Sequence, residues 1–325
     1  MSSTGMKFTA VWRGVVAGLA LGLPGHEATA APFAFASNQG ADTVTVIDLA
    51  TNRPVKNVPV GKGPAGIAIE RHQRKVFVTT PTAHAVSVLD TATLTQTAVI
   101  PFSGEVLGIA ADPIRDRVYV AEWYGNRVVT IDTQSLKTLG EFATGRVPAG
   151  VAVSAAGDRL VVANRDDNTV SVFDLATDTL LATVNVGKAP FGVTLSRNGT
   201  DLFIANVQSD SVSVIDMKTL RTTGEIKVGD APYAIAHDAL RGRLFVTNQQ
   251  SGNVSIVDLK QQVTLSQLKV ADYPEGIDYV STLDRYYLAS WFDNVLIVID
   301  AKTERIIDQI PCEDGTRAFG AFILQ

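Results

Sequence analysis

The 325-residue sequence holds a single cysteine, Cys312. A disulfide framework is therefore excluded, and so is a cysteine-rich zinc or iron–sulfur site. Histidine is nearly as scarce. Of the four in the chain, only His72, His84 and His237 lie beyond residue 30. They occupy unrelated positions, and none falls in an H-x-H, HExxH or CxxCH pattern, so no zinc, copper or c-type haem site and no cofactor are expected. Nucleotide fingerprint, P-loop and G-x-S-x-G turn are all missing. Charge is sparse, and 28 Lys+Arg against 33 Asp+Glu give no bulk attraction to nucleic acid or anionic membrane. Beyond residue 30 there is no helical periodicity, and no apolar run approaches the ~20 residues that cross a bilayer. Hydrophobic residues still make up 46% of the chain, which excludes a disordered polypeptide.

The first thirty residues differ from the rest. Lys7 and Arg13 form a sparse basic start, Val15 to Leu23 is a short apolar run, and Ala28-Thr29-Ala30 is a small-x-small cleavage signal. This is the pattern of a secretory signal peptide, with cleavage expected after Ala30 and a periplasmic or secreted destination. Removing Lys7, Arg13 and Glu27 takes the net charge from −5 to −6. No membrane span is expected after cleavage.

The remainder is one repeated unit. A β-branched run ending in Asp recurs at Asp48, Asp90, Asp132, Asp174, Asp216, Asp258 and Asp300, always 42 residues apart. The second copy shows the internal pattern: Gly66–Ile69, Val76–Thr79, Val86–Leu89 and Thr97–Ile100 each read as a short strand, separated by turn residues. Four strands in a repeat of this length are the signature of a propeller blade. Seven copies predict an all-β, seven-bladed propeller over residues 31–325, a single domain and a monomer. The first copy starts at its second strand, Ala34–Asn38, and the last ends on a first-strand segment, Ala318–Phe322. The C-terminal segment is therefore expected to complete the N-terminal blade. The seven Asp residues tempt a reading as metal ligands, but Thr or Ser stands three residues after six of them, which marks hairpin turns between outer strands.

The second strands read FVTT (77–80), YVAE (119–122), VVAN (161–164), FIAN (203–206), FVTN (245–248) and YLAS (287–290), with a G-x-x-P-x-G element at Gly61–Gly66, Gly145–Gly150 and Gly187–Gly192. In these motifs the chain resembles the YVTN-type β-propeller repeat family over essentially its whole length after residue 30. The resemblance implies a seven-bladed ring of the kind found in periplasmic and surface-layer proteins. One bacterial periplasmic relative is associated with single-stranded DNA binding, and more distant rings carry lactonase, amine dehydrogenase and nitrous oxide reductase functions. Fold does not decide between them.

Departures from the repeat point to candidate contacts. The loop after the second strand and the P-x-G segment leading into the innermost strand are expected on one face, at a channel mouth. Asn38, Asn164, Asn206 and Asn248 end four second strands and read as turn formers. Glu122 replaces Asn in the third copy, followed by Trp123-Tyr124; Trp291-Phe292 is the other aromatic doublet, and Arg165 stands in the same loop of the fourth. The variable P-x-G position holds Phe191, Tyr233, Glu275 and Arg317, of which the last two fall on neighbouring blades and are expected to pair across the rim. Aromatics on polar loops suit stacking on a base, sugar or peptide side chain. Three positions earlier, Lys62, Arg146 and Lys188 occupy one arc and Asp230, Asp272 and Asp314 the other, unlike a uniformly basic nucleic-acid surface. The expected function is thus a secreted or periplasmic binding or scaffold propeller, contacting a protein or small-molecule ligand at that face. Two alternatives stand beside it: a single-stranded nucleic-acid binder, and a lactonase-like hydrolase or accessory protein of a periplasmic oxidation system. The even 42-residue spacing leaves no inserted lid, which weighs against catalysis.

Overall fold

The architecture comes from a computed structural model that describes residues 1, 2, 5 and 32–324. The chain divides into Met1–Ala30 and Ala31–Gln325. The expected signal peptide, with its cleavage point, lies outside the described residues except at three positions. No helix among the described residues is long and apolar enough to cross a membrane.

The second unit is a seven-bladed propeller of four-stranded antiparallel sheets. Blades 2 to 7 span residues 66–101, 106–143, 148–185, 190–227, 232–269 and 274–311, and each runs from the innermost strand outward in chain order. Two residue patterns explain why. The second and third strands, such as Lys75–Thr80 and Ala85–Asp90, are apolar on both faces and almost wholly buried, because each blade is covered by a neighbour on either side. The fourth strands, such as Arg53–Pro59, are mostly exposed and polar. Their free edges carry a β-bulge against the third strand in all seven blades, which twists them away from lateral pairing.

The turn Asp residues behave as read. Asp90 Oδ1 accepts from the backbone N–H of Ala92 and Thr93 at 2.9 and 2.7 Å, and Asp174 and Asp216 do the same in their blades. These bonds hold the three carboxyls below the usual carboxylate range. The Asn residues are not turn formers. Asn38, Asn164, Asn206 and Asn248 are fully buried, and each side-chain amide donates to two side chains of the third strand, as Asn164 does to Thr169 and Ser171 at 3.0 and 2.9 Å. A buried amide needs those partners, so the position ties the second strand to the third.

Blade 1 is closed by both ends of the chain, as expected, but by a broken strand. Phe33–Asn38, Thr43–Asp48 and Arg53–Pro59 supply three strands. Thr316–Arg317 pairs with Asn38 and Ser37, and Ile323–Leu324 pairs with Ala34 and Phe33. Between them, Phe319–Gly320 swings to the first strand of blade 2 and pairs with Gly66 and Ile67 in parallel. Gly320 has φ +102°, a conformation open to glycine alone, and this permits the detour.

Around the axis the innermost strands nearly touch. A Cβ on Gly66, Gly108, Gly150, Gly192 or Gly276 would lie 1.6–2.3 Å from a carbonyl oxygen of the next blade's innermost strand. Gly276→Ala, which would drive a Cβ to 1.6 Å from the Ala318 carbonyl, is expected to cost about 1–3 kcal/mol in chemical denaturation. Gly140→Ala, with nothing within 4 Å, is expected to change stability by no more than about 0.5 kcal/mol.

Candidate functional site

The loops after the second strands and the P-x-G segments do share a face. Trp123 N–H donates to Glu105 C=O at 2.7 Å, Arg165 to Val147 at 3.0 Å, Gln249 to Ala231 at 2.9 Å and Trp291 to Tyr273 at 3.1 Å, so each loop is laced to the lead-in of its own blade. The expected open mouth there is corrected. The axis on this side is filled by side chains from several blades. Phe191 stacks on Tyr233 with ring centroids 4.3 Å apart, and both meet Phe319, at 4.9 and 5.5 Å. Phe191 and Phe319 belong to blades 5 and 1, so their contact spans the ring. Trp123 leans on Phe191 at 6.1 Å, and Leu107 and Ala149 complete the cluster. Phe191 and Tyr233 are thereby an interior plug, because their rings converge with Phe319, Leu107 and Trp123 where the ring is narrowest.

Glu275 and Arg317 pair as expected, but in the interior rather than on a rim. Glu275 is fully buried and Arg317 nearly so. Arg317 Nε and Nη2 both donate to the carboxylate, the latter at 3.0 Å. Nη2 also donates to Tyr233 Oη at 2.7 Å, Nη1 to Gln39 Oε1 at 3.3 Å, and the guanidinium lies 4.8 Å over the Trp291 ring. Gln249 Nε2 donates to Glu275 Oε1 at 2.8 Å. Burial pushes the Glu275 carboxyl up, with the guanidinium pulling the other way. Glu122 is likewise buried and spent: Arg127 Nε donates to it at 2.6 Å and Ser103 Oγ at 3.2 Å. Arg165 pairs with Asp166 in its own loop at 2.8 Å. Of the ten candidate residues, Tyr124 and Phe292 stand well exposed, at 72% and 59%, on blades 3 and 7. Trp291 and Phe292 stack at 5.2 Å, and Tyr273 lies 4.7 Å from Phe292.

The channel opens at the other end, where the innermost strands turn into the second strands. A cavity of about 660 Å³ runs in from that side and ends on Phe319 and Gly320. Its wall is formed by the inner edges of blades 2 to 7 and the segment Phe319–Ala321. Two positions after the axial glycine or alanine the wall reads Ala110, Ala152, Thr194, Ala236, Asp278 and Gly320, while Ala68, the equivalent residue of blade 2, is buried in the core. Asp278 is the one charged residue of that ring. Burial pushes its carboxyl up to about 6, while the Tyr279 N–H, donating at 2.8 Å, and the Arg71 guanidinium pull it down. His237 also lines the cavity, 5.3 Å from the Phe203 ring, and burial holds its imidazole below the ordinary value. Thr194 Oγ1 donates to the Ile235 carbonyl of the next blade at 2.7 Å. At the mouth, His72 Nδ1 lies 3.5 Å from Glu70 and 3.8 Å from Asp116, a trio with metal-ligand atom types. Both Glu70 oxygens, however, already accept backbone N–H groups, from His72 and Gln73 at 2.9 and 2.7 Å.

Residues 26–227, more than half of the chain, match the family model described as lactonase, 7-bladed beta-propeller. The chain belongs to that family. Among curated proteins none matches this lactonase-family propeller. Solved structures share its fold at low identity. Hydrazine synthase of Kuenenia stuttgartiensis aligns with a TM-score of 0.74 at 18% identity, over 82% of this chain and 91% of the other. A functionally unknown protein from Desulfotomaculum acetoxidans DSM 771 aligns at 0.75 and 13%, over 87% and 98%. The dihydro-heme d1 dehydrogenase NirN, in complex with DHE, aligns at 0.66 and 13%, over 87% and 74%. At these identities the likeness is one of fold.

Two outcomes follow for this family member. Arg317→Met strands Glu275 without its cation and is expected to cost about 3–5 kcal/mol in urea denaturation; adding Glu275→Leu removes the buried charge as well and is expected to restore most of it. Asp278 titrates near 6 in the fold and at about 3.9 in an unfolded chain. Its ionisation therefore weakens the fold as pH rises from about 4 to 6, and the loss persists above that. Asp278→Asn is expected to be the more stable protein above pH 6, by about 1–3 kcal/mol, with the advantage vanishing below about pH 4 in thermal melts.

Proposed function

We propose that the mature chain, exported by its first thirty residues, is a monomeric extracytoplasmic propeller that binds a small molecule in the open end of its channel. One observation carries this reading: the axis is a blind cavity of about 660 Å³, plugged on one face and open on the other. That volume is within the range of small-molecule sites, and its wall is apolar with a few polar groups. The repeat motifs that resemble the YVTN type support an extracytoplasmic setting. The single-stranded nucleic-acid reading has less behind it, since the net charge is negative and the two exposed aromatics, Tyr124 and Phe292, stand on separate blades.

A second reading is favoured by Asp278 and by the family match. A carboxyl poised near 6 in a cavity is suited to take a proton from water at neutral pH. In this reading water adds to the carbonyl of a bound lactone as its proton passes to Asp278, and the ring C–O bond then breaks as Asp278 returns that proton to the leaving alkoxide oxygen, giving a hydroxy acid and the free Asp278 carboxylate. The test is turnover of glucono-δ-lactone, followed by acid release above the spontaneous rate. For a hydrolase, the catalysed rate rises with pH through about 6 and levels off, and Asp278→Asn lowers it by about 10²–10⁴-fold. Ala152→Trp, which fills the channel, is expected to abolish both turnover and ligand-induced thermal stabilisation. Absence of turnover in the unmodified protein would remove the hydrolase, and activity or binding untouched by Ala152→Trp would remove the channel as the site.

A further inference from the structure

A second recess lies on the plugged face, away from the channel. It is a cleft of about 330 Å³ at the seam where blade 7 meets blade 1. One wall is aromatic. Trp291 and exposed Phe292 line it from the blade 7 loop with their ring planes 15° apart, and Tyr273 packs against Phe292. The other wall comes from blade 1. There Gln39 and Gly40 donate backbone N–H groups to the Gly315 and Asp314 carbonyls at 2.9 and 3.0 Å.

The polar groups of this cleft are unevenly used. The exposed Asp314 carboxylate makes no hydrogen bond or ion pair among the described residues. Gly40 leaves it room, since a Cβ there would lie 2.1 Å from Asp314 Oδ2. The two amides have committed their oxygens: Gln39 Oε1 accepts from Arg317 at 3.3 Å, and Asn294 Oδ1 from the Gly315 N–H at 2.7 Å. Their NH₂ groups donate to no described residue. No Lys or Arg lines the cleft. Asp272 and Asp293, exposed on blade 7 beside the rings, also lack an ion pair among the described residues. Arg317, whose charge is met by Glu275, lies 4.8 Å over the Trp291 ring, so this ring already serves one guanidinium.

The site thus offers flat π surface, an unpaired negative charge and two amide donors. Unpaired carboxylates repel an anion, and a neutral sugar would stack on the rings but draw nothing from the charge. We infer that the cleft binds an arginine side chain of a protein partner. The guanidinium lies against the Trp291–Phe292 pair and donates to Asp314, while peptide carbonyls beside it accept from Gln39 and Asn294. A guanidinium is planar and weakly hydrated, so it stacks on aromatic rings and pairs with a carboxylate at once, which an ammonium does less well. Free arginine is the poorer ligand, because its own carboxylate would face these acids. The inference does not depend on the channel reading.

The test is calorimetric titration of the purified protein with the blocked peptide acetyl-Gly-Arg-Gly-amide and with its lysine, norleucine and glutamate counterparts. The arginine peptide is expected to bind, more weakly in high salt, with the lysine peptide about threefold weaker and the other two at least tenfold weaker. Asp314→Asn, which has no side-chain bond to lose, and Phe292→Ala are each expected to weaken the arginine peptide about fivefold or more while circular dichroism stays unchanged. Tyr124→Ala, on blade 3, and Ala152→Trp, in the channel, are expected to leave it as it was. Absence of binding, or equal binding of the glutamate or norleucine peptide, would overturn the cation assignment, and a lysine peptide that binds as tightly would overturn the guanidinium. Affinity indifferent to both Asp314→Asn and Phe292→Ala, or abolished by Ala152→Trp, would remove the cleft as the site.

Discussion

Everything in this ring depends on how closely seven strand edges approach one axis. At five of the seven positions the carbonyl of one innermost strand sits where its neighbour's Cβ would be, and each of those positions is glycine. Ala234 and Ala318 fill the other two. Side chains larger than a methyl are thus absent at that level, and the bulk of the preceding residue is pushed along the axis instead. Leu107, Phe191 and Tyr233 come from this preceding position, and they build the plug together with Phe319. Close packing at the centre and closure of one face are the same event.

The two ends of the channel then diverge. On the plugged side the converging residues are large, and a buried arginine–glutamate pair is knitted into them with its polar atoms satisfied. Such a pair contributes geometry more than stability, because desolvation offsets most of its attraction. On the open side the positions that line the wall are alanine in three blades, Ala110, Ala152 and Ala236, and the space they leave is the cavity. That asymmetry, and not the fold, sets this ring apart, since many chemistries share the fold.

The fold was legible because a 42-residue interval recurs without an insertion, and register in a stacked sheet follows interval. The strands, the turn Asp residues and the pairing of the two chain ends could all be read that way. The site was less legible. Whether a mouth is open depends on side-chain volumes summed across blades that are up to 128 residues apart, as Phe191 and Phe319 are. No single repeat carries that information, so Phe191, Tyr233 and Glu275 were placed on a surface they do not reach. The buried Asn residues were missed for a related reason: their partners lie on the adjacent strand, and only pairing reveals them. Asp278 did leave a signal, a lone acid in a column of small residues, whereas His237 was set aside because it fits no ligand pattern.

The broken strand at the seam has a temporal consequence. Ser37 meets Arg317 and Asn38 meets Thr316 across about 280 positions of chain. Contacts that remote form late, since the intervening polymer must first be brought back on itself. During synthesis the nascent arc therefore stays unlatched until its last segment has emerged.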